Sequence, residues 1–147
     1  MPTPYLRVHD AAAAIDFYAA AFGATEVVRL TEPSGRVAHA ELAFGGEDDR
    51  VMLSDEYPDM GVLGPVTLGA TPVALQLYID DVDAVCARVA QHNGRIVHAP
   101  ALDPFGDRSA KVVDPFGHEW LLATRLERIE PAEMRRRFDR IMNAEGK

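Results

Sequence analysis

From Thr3 to His9 the chain alternates, with Pro4, Leu6 and Val8 on one side and Thr3, Tyr5 and Arg7 on the other. That period of two is the pattern of a strand lying on a core. At Asp10 the period changes. In AAAAIDFYAAAF, residues Ile15, Tyr18, Ala19 and Phe22 recur at helical spacing. Asp10 is placed to accept hydrogen bonds from the first-turn N–H groups, and Gly23 to end the helix in a left-handed conformation. The same order of signals returns 71 residues later: Leu77 for Leu6, Asp81 for Asp10, and Gly94 for Gly23. The second helix, VDAVCARVAQHN, carries its apolar stripe on Val82, Val85, Cys86 and Val89. The chain is an internal duplication.

Each helix is followed by three strand-like runs. In the first half these are Glu26–Thr31, Arg36–Phe44 and Val51–Asp55, separated by PSG and GGEDD turns. In the second they are Arg95–His98, Ser109–Val113 and Glu119–Thr124, separated by a Pro/Gly/Asp-rich loop and by DPFG. The expected organisation is one α+β domain over 1–147: a βαβββ module at 1–55, a linker at 56–72, a second module at 73–125, and a C-terminal helix at 130–143. The Gly- and Pro-rich linker, EYPDMGVLGPVTLGATP, continues neither neighbouring element. Two such modules, with helices on the outer face, are expected to pair into a curved, cup-shaped mixed sheet.

Alternation assigns the lining of that cup. Ala38, Ala40, Leu42 and Phe44 pack toward the helix, so His39 and Glu41 project the other way. Val73, Leu75, Leu77 and Ile79 pack, leaving Ala74, Gln76 and Tyr78 free. Trp120 and Leu122 pack, leaving Glu119, Leu121 and Ala123. His118 falls in the DPFG turn.

Composition narrows the function classes. With 48% hydrophobic and 26% charged residues the chain can build a packed interior. A net charge of −8 opposes binding to nucleic acid or to anionic membranes. A single cysteine, Cys86, excludes an intrachain disulfide and fits a reducing compartment. The start, MPTPYLRVHD, lacks the features of a secretory signal, and no run approaches the length of a membrane span. A cytoplasmic location is the expectation.

The duplicated βαβββ pattern, LRVHD before an alanine-rich helix ending AFG, LYIDDVDAV, and DPFGHEWLLAT together resemble the vicinal oxygen chelate superfamily. That group includes glyoxalase I, bleomycin-resistance proteins, fosfomycin-modifying enzymes and extradiol dioxygenases. DPFGHEW and the tail PAEMRRRF most resemble its PhnB-like branch. The resemblance implies dimers and, in metal-dependent members, His or Glu ligands on inner strands. Carried onto this chain, those positions fall at Thr3, Ala74, Leu121 and near Leu53. None supplies the nitrogen or carboxylate oxygen such sites use. No metal and no cofactor are expected.

The remaining polar residues define the expected site. Tyr5, Arg7, His39, Glu41, Gln76, Tyr78 and Arg108 are the candidate ligand-binding residues, and His39, Glu41 and Glu119 the candidate proton-transfer groups. Glu41, if desolvated, would have a raised pKa, and Asp55 offers an off-pattern metal ligand. Arg7 and Arg108 suit an anion, or a neighbouring carboxylate. In the tail, Met134, Phe138, Ile141 and Met142 form a stripe suited to packing on the domain or on a partner subunit. The expected function is capture of a small, aromatic or amphiphilic molecule by a homodimer. The alternative is a lyase, isomerase or oxidoreductase of the glyoxalase/dioxygenase type.

Overall fold

The computed structural model describes residues 2–145. Met1, Gly146 and Lys147, at the ends of the expected 1–147 span, lie outside the described residues. The element order is β1 (Tyr5–Val8), α1 (Ala11–Phe22), β2 (Thr25–Thr31), β3 (Val37–Ala43) and β4 (Arg50–Asp55). A 3-10 turn (Pro58–Met60) and the short α2 (Pro65–Leu68) follow. The second half is β5 (Ala74–Tyr78), α3 (Val82–Gln91), β6 (Arg95–Leu102), β7 (Asp107–Val113) and β8 (Glu119–Arg125), with α4 (Pro131–Glu145) at the end.

Local chemistry explains the helix ends. Asp10 accepts from the Ala13 N–H and Asp81 from the Ala84 N–H, so both helices start on the expected caps. Gly23 ends α1 at φ 72°. The second helix differs: Asn93 takes the left-handed position at φ 71°, one residue before the glycine. Gly94 is needed for space instead, because a Cβ there would run into Val89 and lie 3.4 Å from the Val113 carbonyl. Asn is the residue besides glycine that best tolerates that conformation.

The strands form two four-stranded mixed sheets, ordered β1-β4-β3-β2 and β5-β8-β7-β6. In each, the first strand pairs parallel with the last and the others are antiparallel. This is the expected α+β architecture. Among the described residues no strand of one sheet pairs with a strand of the other. The modules meet instead through α1 and α3, whose Arg88 donates to the Ala21 carbonyl, and through one shared core. Its aromatic part joins Phe17, Tyr18, Phe22 and Phe44 of the first module to Phe116 and Trp120 of the second.

A buried carboxylate organises this junction. Asp114 is 3% exposed. One oxygen accepts from Tyr18 Oη–H (2.5 Å) and Trp120 Nε1–H (2.9 Å), the other from the backbone N–H groups of Phe116 and His118. Burial, reinforced by the neighbouring Asp114, pushes the Tyr18 phenol well above its ordinary pKa, so it stays a donor. His118 extends the joint: its Nε2 lies 2.9 Å from the Arg7 carbonyl of β1.

The linker is held in the same region. Glu56 accepts from the Gly64 N–H and the Thr67 hydroxyl. A Cβ on Gly64 would lie 2.7 Å from the Arg7 carbonyl. Gly64→Ala should therefore cost about 1–3 kcal/mol, the usual penalty for overpacking, and a denaturant titration measures it. Unlike the linker, α4 buries none of its residues and packs on no other element among those described. Arg137 ties it down through Glu127 and the Pro104 carbonyl.

Candidate functional site

Each sheet has one face under helices and one open face, and the candidate residues divide between the two open faces. On the first, Leu6, Val8, Ala40, Leu42 and Leu53 fill the core, while Tyr5, Arg7, His39 and Glu41 point away from it. Register places Tyr5 beside Met52 and Arg7 beside Ser54, with β4 lying between β1 and β3. Tyr5 nevertheless reaches His39 across β4, its Oη 2.8 Å from Nδ1. His39 Nε2 is 3.1 Å from a Glu41 oxygen, and the other Glu41 oxygen accepts from Arg50 at 3.3 Å. The Arg7 guanidinium sits 4.0 Å over the Tyr5 ring and donates to Ser54 Oγ.

Glu41 departs from expectation. The hydrogen bond from His39 outweighs partial desolvation and, with the charges of His39 and Arg50, lowers its carboxyl below the ordinary range rather than raising it. These contacts contribute stability above the ordinary glutamate value of about 4.3 and lose it as the pH falls through the lowered folded value. A carbon-detected NMR titration should show Glu41 protonating below the ordinary glutamate value, and in Arg50→Gln its midpoint should move up.

On the second open face Tyr78 donates to Asp107 (3.0 Å), and the Arg125 guanidinium lies 4.3 Å over its ring. A cavity of about 450 Å³ opens here, with Gln76 and Tyr78 on its floor and Phe105, Ile129 and Met134 among its walls. An adjoining hollow of about 280 Å³ shares Gln76, Asp103 and Asp107 and adds Leu121 and Ala123. The tail is held here by Gly106, whose carbonyl accepts from the Leu126 and Glu127 N–H groups. Gly106 has φ 98°, and a Cβ on it would lie 2.5 Å from the Glu127 carbonyl. Gly106→Ala should therefore loosen residues 126–134, raising their amide hydrogen exchange while leaving the core unchanged.

Several expectations change. Arg108 is on the helix-facing side of β7, where a two-pronged bond to Asp83 of α3 occupies it. It takes the carboxylate partner and not a place in the cup. Glu119 is on the second open face, 3.5 Å from Lys111, and does not join His39 and Glu41 within the chain. Asp55 is no metal ligand: its two oxygens accept the Ala11 and Val37 N–H groups, both at 2.7 Å. Leu53 faces the core, so the open-face neighbours on β4 are Met52 and Ser54. The positions where a metal would be held thus offer a Thr hydroxyl, a thioether or Ser hydroxyl, Ala74 and Leu121. That donor set does not fit a divalent ion, and among the described residues no three His, Cys, Asp or Glu side chains cluster to hold one.

Arg50, Ser54, Phe105, Asp107 and Arg125 belong to these faces but were not among the expected residues. Arg50 and Ser54 follow from alternation once β4 starts at residue 50. The others sit at strand ends or in a loop, where alternation carries no information.

The fold and these faces define a class. Residues 3–122 match the glyoxalase/bleomycin resistance protein/dioxygenase superfamily, and the chain belongs to it. An uncharacterized protein of Mycobacterium bovis is 40% identical over 135 residues, covering 90% of this chain and 88% of its own. Among solved structures, TioX from a Micromonospora species has a TM-score of 0.64 at 25% identity, over 88% of this chain and 99% of that one. A PhnB protein from Bacillus cereus has a TM-score of 0.66 at 22% identity, over 84% and 98%. Glyoxalase I from Zea mays matches at 0.64 and 23% identity, over 86% of this chain and 47% of its own.

Proposed function

We propose that the protein binds a small aromatic or amphiphilic molecule in a cup without a resident metal. The cup is built from the first open face of one copy and the second open face of another. The observation that carries this reading is the roughly 450 Å³ cavity over Gln76 and Tyr78, walled by Phe105, Ile129 and Met134 and edged by Asp107 and Arg125. At that volume, a cavity lined by Tyr78 and these three apolar side chains among the charged Asp103, Asp107, Arg125, Glu127 and Arg128 suits a small molecule with polar as well as apolar surface. The first open face offers Tyr5, Arg7 and His39, yet among the described residues no strand of its sheet pairs with a strand of the second sheet. A second copy brings the two faces together, and it also offers cover for Met134, Phe138 and Met142, each more than 40% exposed. Burying such a stripe is favourable by roughly 25 cal/mol per Å² of apolar surface.

We place the protein in the cytoplasm. Cys86 is buried, and burial pushes its thiol pKa up, which suits a structural cysteine. No described helix is long and apolar enough to cross a membrane.

The test uses anilinonaphthalene sulfonate, an aromatic anion, as a fluorescent probe, with sedimentation velocity for mass. The reading expects a dimer that binds the probe, and Tyr78→Ala should weaken binding about tenfold through loss of one aromatic wall. A monomer, or binding indifferent to Tyr78, contradicts it. A second reading, an isomerase or lyase, is favoured by one observation: the hydrogen-bonded chain from Tyr5 through His39 to Glu41.

A further inference from the structure

The geometry points to Tyr5, His39 and Glu41 as a metal-free proton relay that gives the cup acid–base chemistry, with the Tyr5 oxygen as the group that meets the ligand. This rests on the reading that the first open face lines a small-molecule cup.

Three observations carry it. Tyr5 and His39 sit on strands separated by β4, and strands two apart are about 9–10 Å from each other, so their 2.8 Å contact needs both side chains to lean across the strand between them. On the intervening strand Met52 lies beside Tyr5, and the small Ser54 lies beside Arg7 and accepts its hydrogen bond. Next, the bonding fixes the direction of proton flow. Glu41 is an acceptor, so His39 Nε2 carries the hydrogen; in a neutral ring Nδ1 then accepts from the Tyr5 O–H. Finally, both His39 nitrogens are occupied, so His39 cannot meet a ligand directly. Tyr5 is 37% exposed and can.

The relay works as follows. The Tyr5 oxygen takes a proton from a ligand C–H while its own O–H proton passes to His39 Nδ1. His39 becomes an imidazolium facing the Glu41 carboxylate, which Arg50 holds in place. The electron pair of the broken C–H bond stays on the ligand, and the reverse transfer returns a proton to the same or a neighbouring carbon. No oxidant, reductant or co-reactant is required. A base of imidazole strength removes such a proton only if the developing charge is stabilised. Arg7, above the Tyr5 ring, is the cation available for an oxyanion. The ligand class is therefore a small carbonyl compound with an acidic C–H beside the carbonyl.

Pyruvate in deuterium oxide is the probe, with methyl exchange followed by proton NMR alongside anilinonaphthalene sulfonate binding on the same samples. Wild-type protein should exchange the methyl protons faster than buffer. Tyr5→Phe should lose roughly 100-fold of that acceleration, in the range for a positioned acid–base group, while keeping its melting temperature. Glu41→Gln, removing a positioning residue, should slow exchange by about tenfold, and nitrogen NMR should show the His39 tautomer preference weakened. Dye binding with exchange no faster than buffer, or equal in Tyr5→Phe, overturns the relay and leaves the cup standing. Tyr5-dependent exchange without dye binding supports the relay and overturns the aromatic cup. Absence of both overturns both.

Discussion

Replacing Asp114 with Ala should lower the unfolding free energy by about 3–5 kcal/mol, the cost of removing a buried charged acceptor from the donors built around it. Four donors lose their partner at once: the Tyr18 hydroxyl, the Trp120 indole and two backbone N–H groups. They lie between the modules, so water cannot take over all four without opening the core. Asp114→Asn should lie between, because its amide presents one oxygen and turns an NH₂ toward the donors on the other side. For a chain of this size such a loss corresponds to a melting-temperature fall of roughly 10 °C or more. Calorimetry checks it, and a change below about 1 kcal/mol would mean that the joint is not where stability resides.

Trp120→Ala should be comparably damaging, about 3–5 kcal/mol, for a different reason. The indole is 2% exposed and packs on Tyr18, Phe22 and Phe44. Truncation leaves a void between residues of both modules that neither sheet can fill alone. Trp120→Phe separates the two effects: it keeps most of the packing but takes one donor from Asp114, and should cost about 1–2 kcal/mol. Because Trp120 and Asp114 touch, the double variant should fall short of the sum of the single losses. Equilibrium urea unfolding of the set measures that coupling, and strict additivity would argue against a shared joint.

The sequence was most legible where two local signals agreed. Asp10 and Asp81 mark both helix starts because a cap and a change of period coincide there. Alternation put Tyr5, His39, Glu41, Gln76 and Tyr78 on open faces because each has an apolar neighbour on either side. It did not reach Arg108, which lies just before the expected Ser109–Val113 run and whose partner, Asp83, lies on a helix. Leu53 shows the reverse error: position counting pointed near it, whereas burial turned it inward. Asp114 read as a turn residue, since nothing local announces that a Tyr nearly a hundred positions earlier will donate to it. Whether the two modules close one cup within a chain was equally illegible. That depends on which faces of α1 and α3 meet, and their apolar stripes fit more than one arrangement.

The composite cup can be tested by mixing chains. Co-express a Tyr5→Ala chain with a differently tagged Tyr78→Ala chain, isolate the mixed dimer, and count anilinonaphthalene sulfonate sites. If each cup takes its two faces from different copies, the mixed dimer contains one undamaged cup and one with both changes, so it should bind at half the wild-type stoichiometry with wild-type affinity. If every cup lies within one chain, each carries one damaged face and no full-affinity site appears; that result would contradict the account.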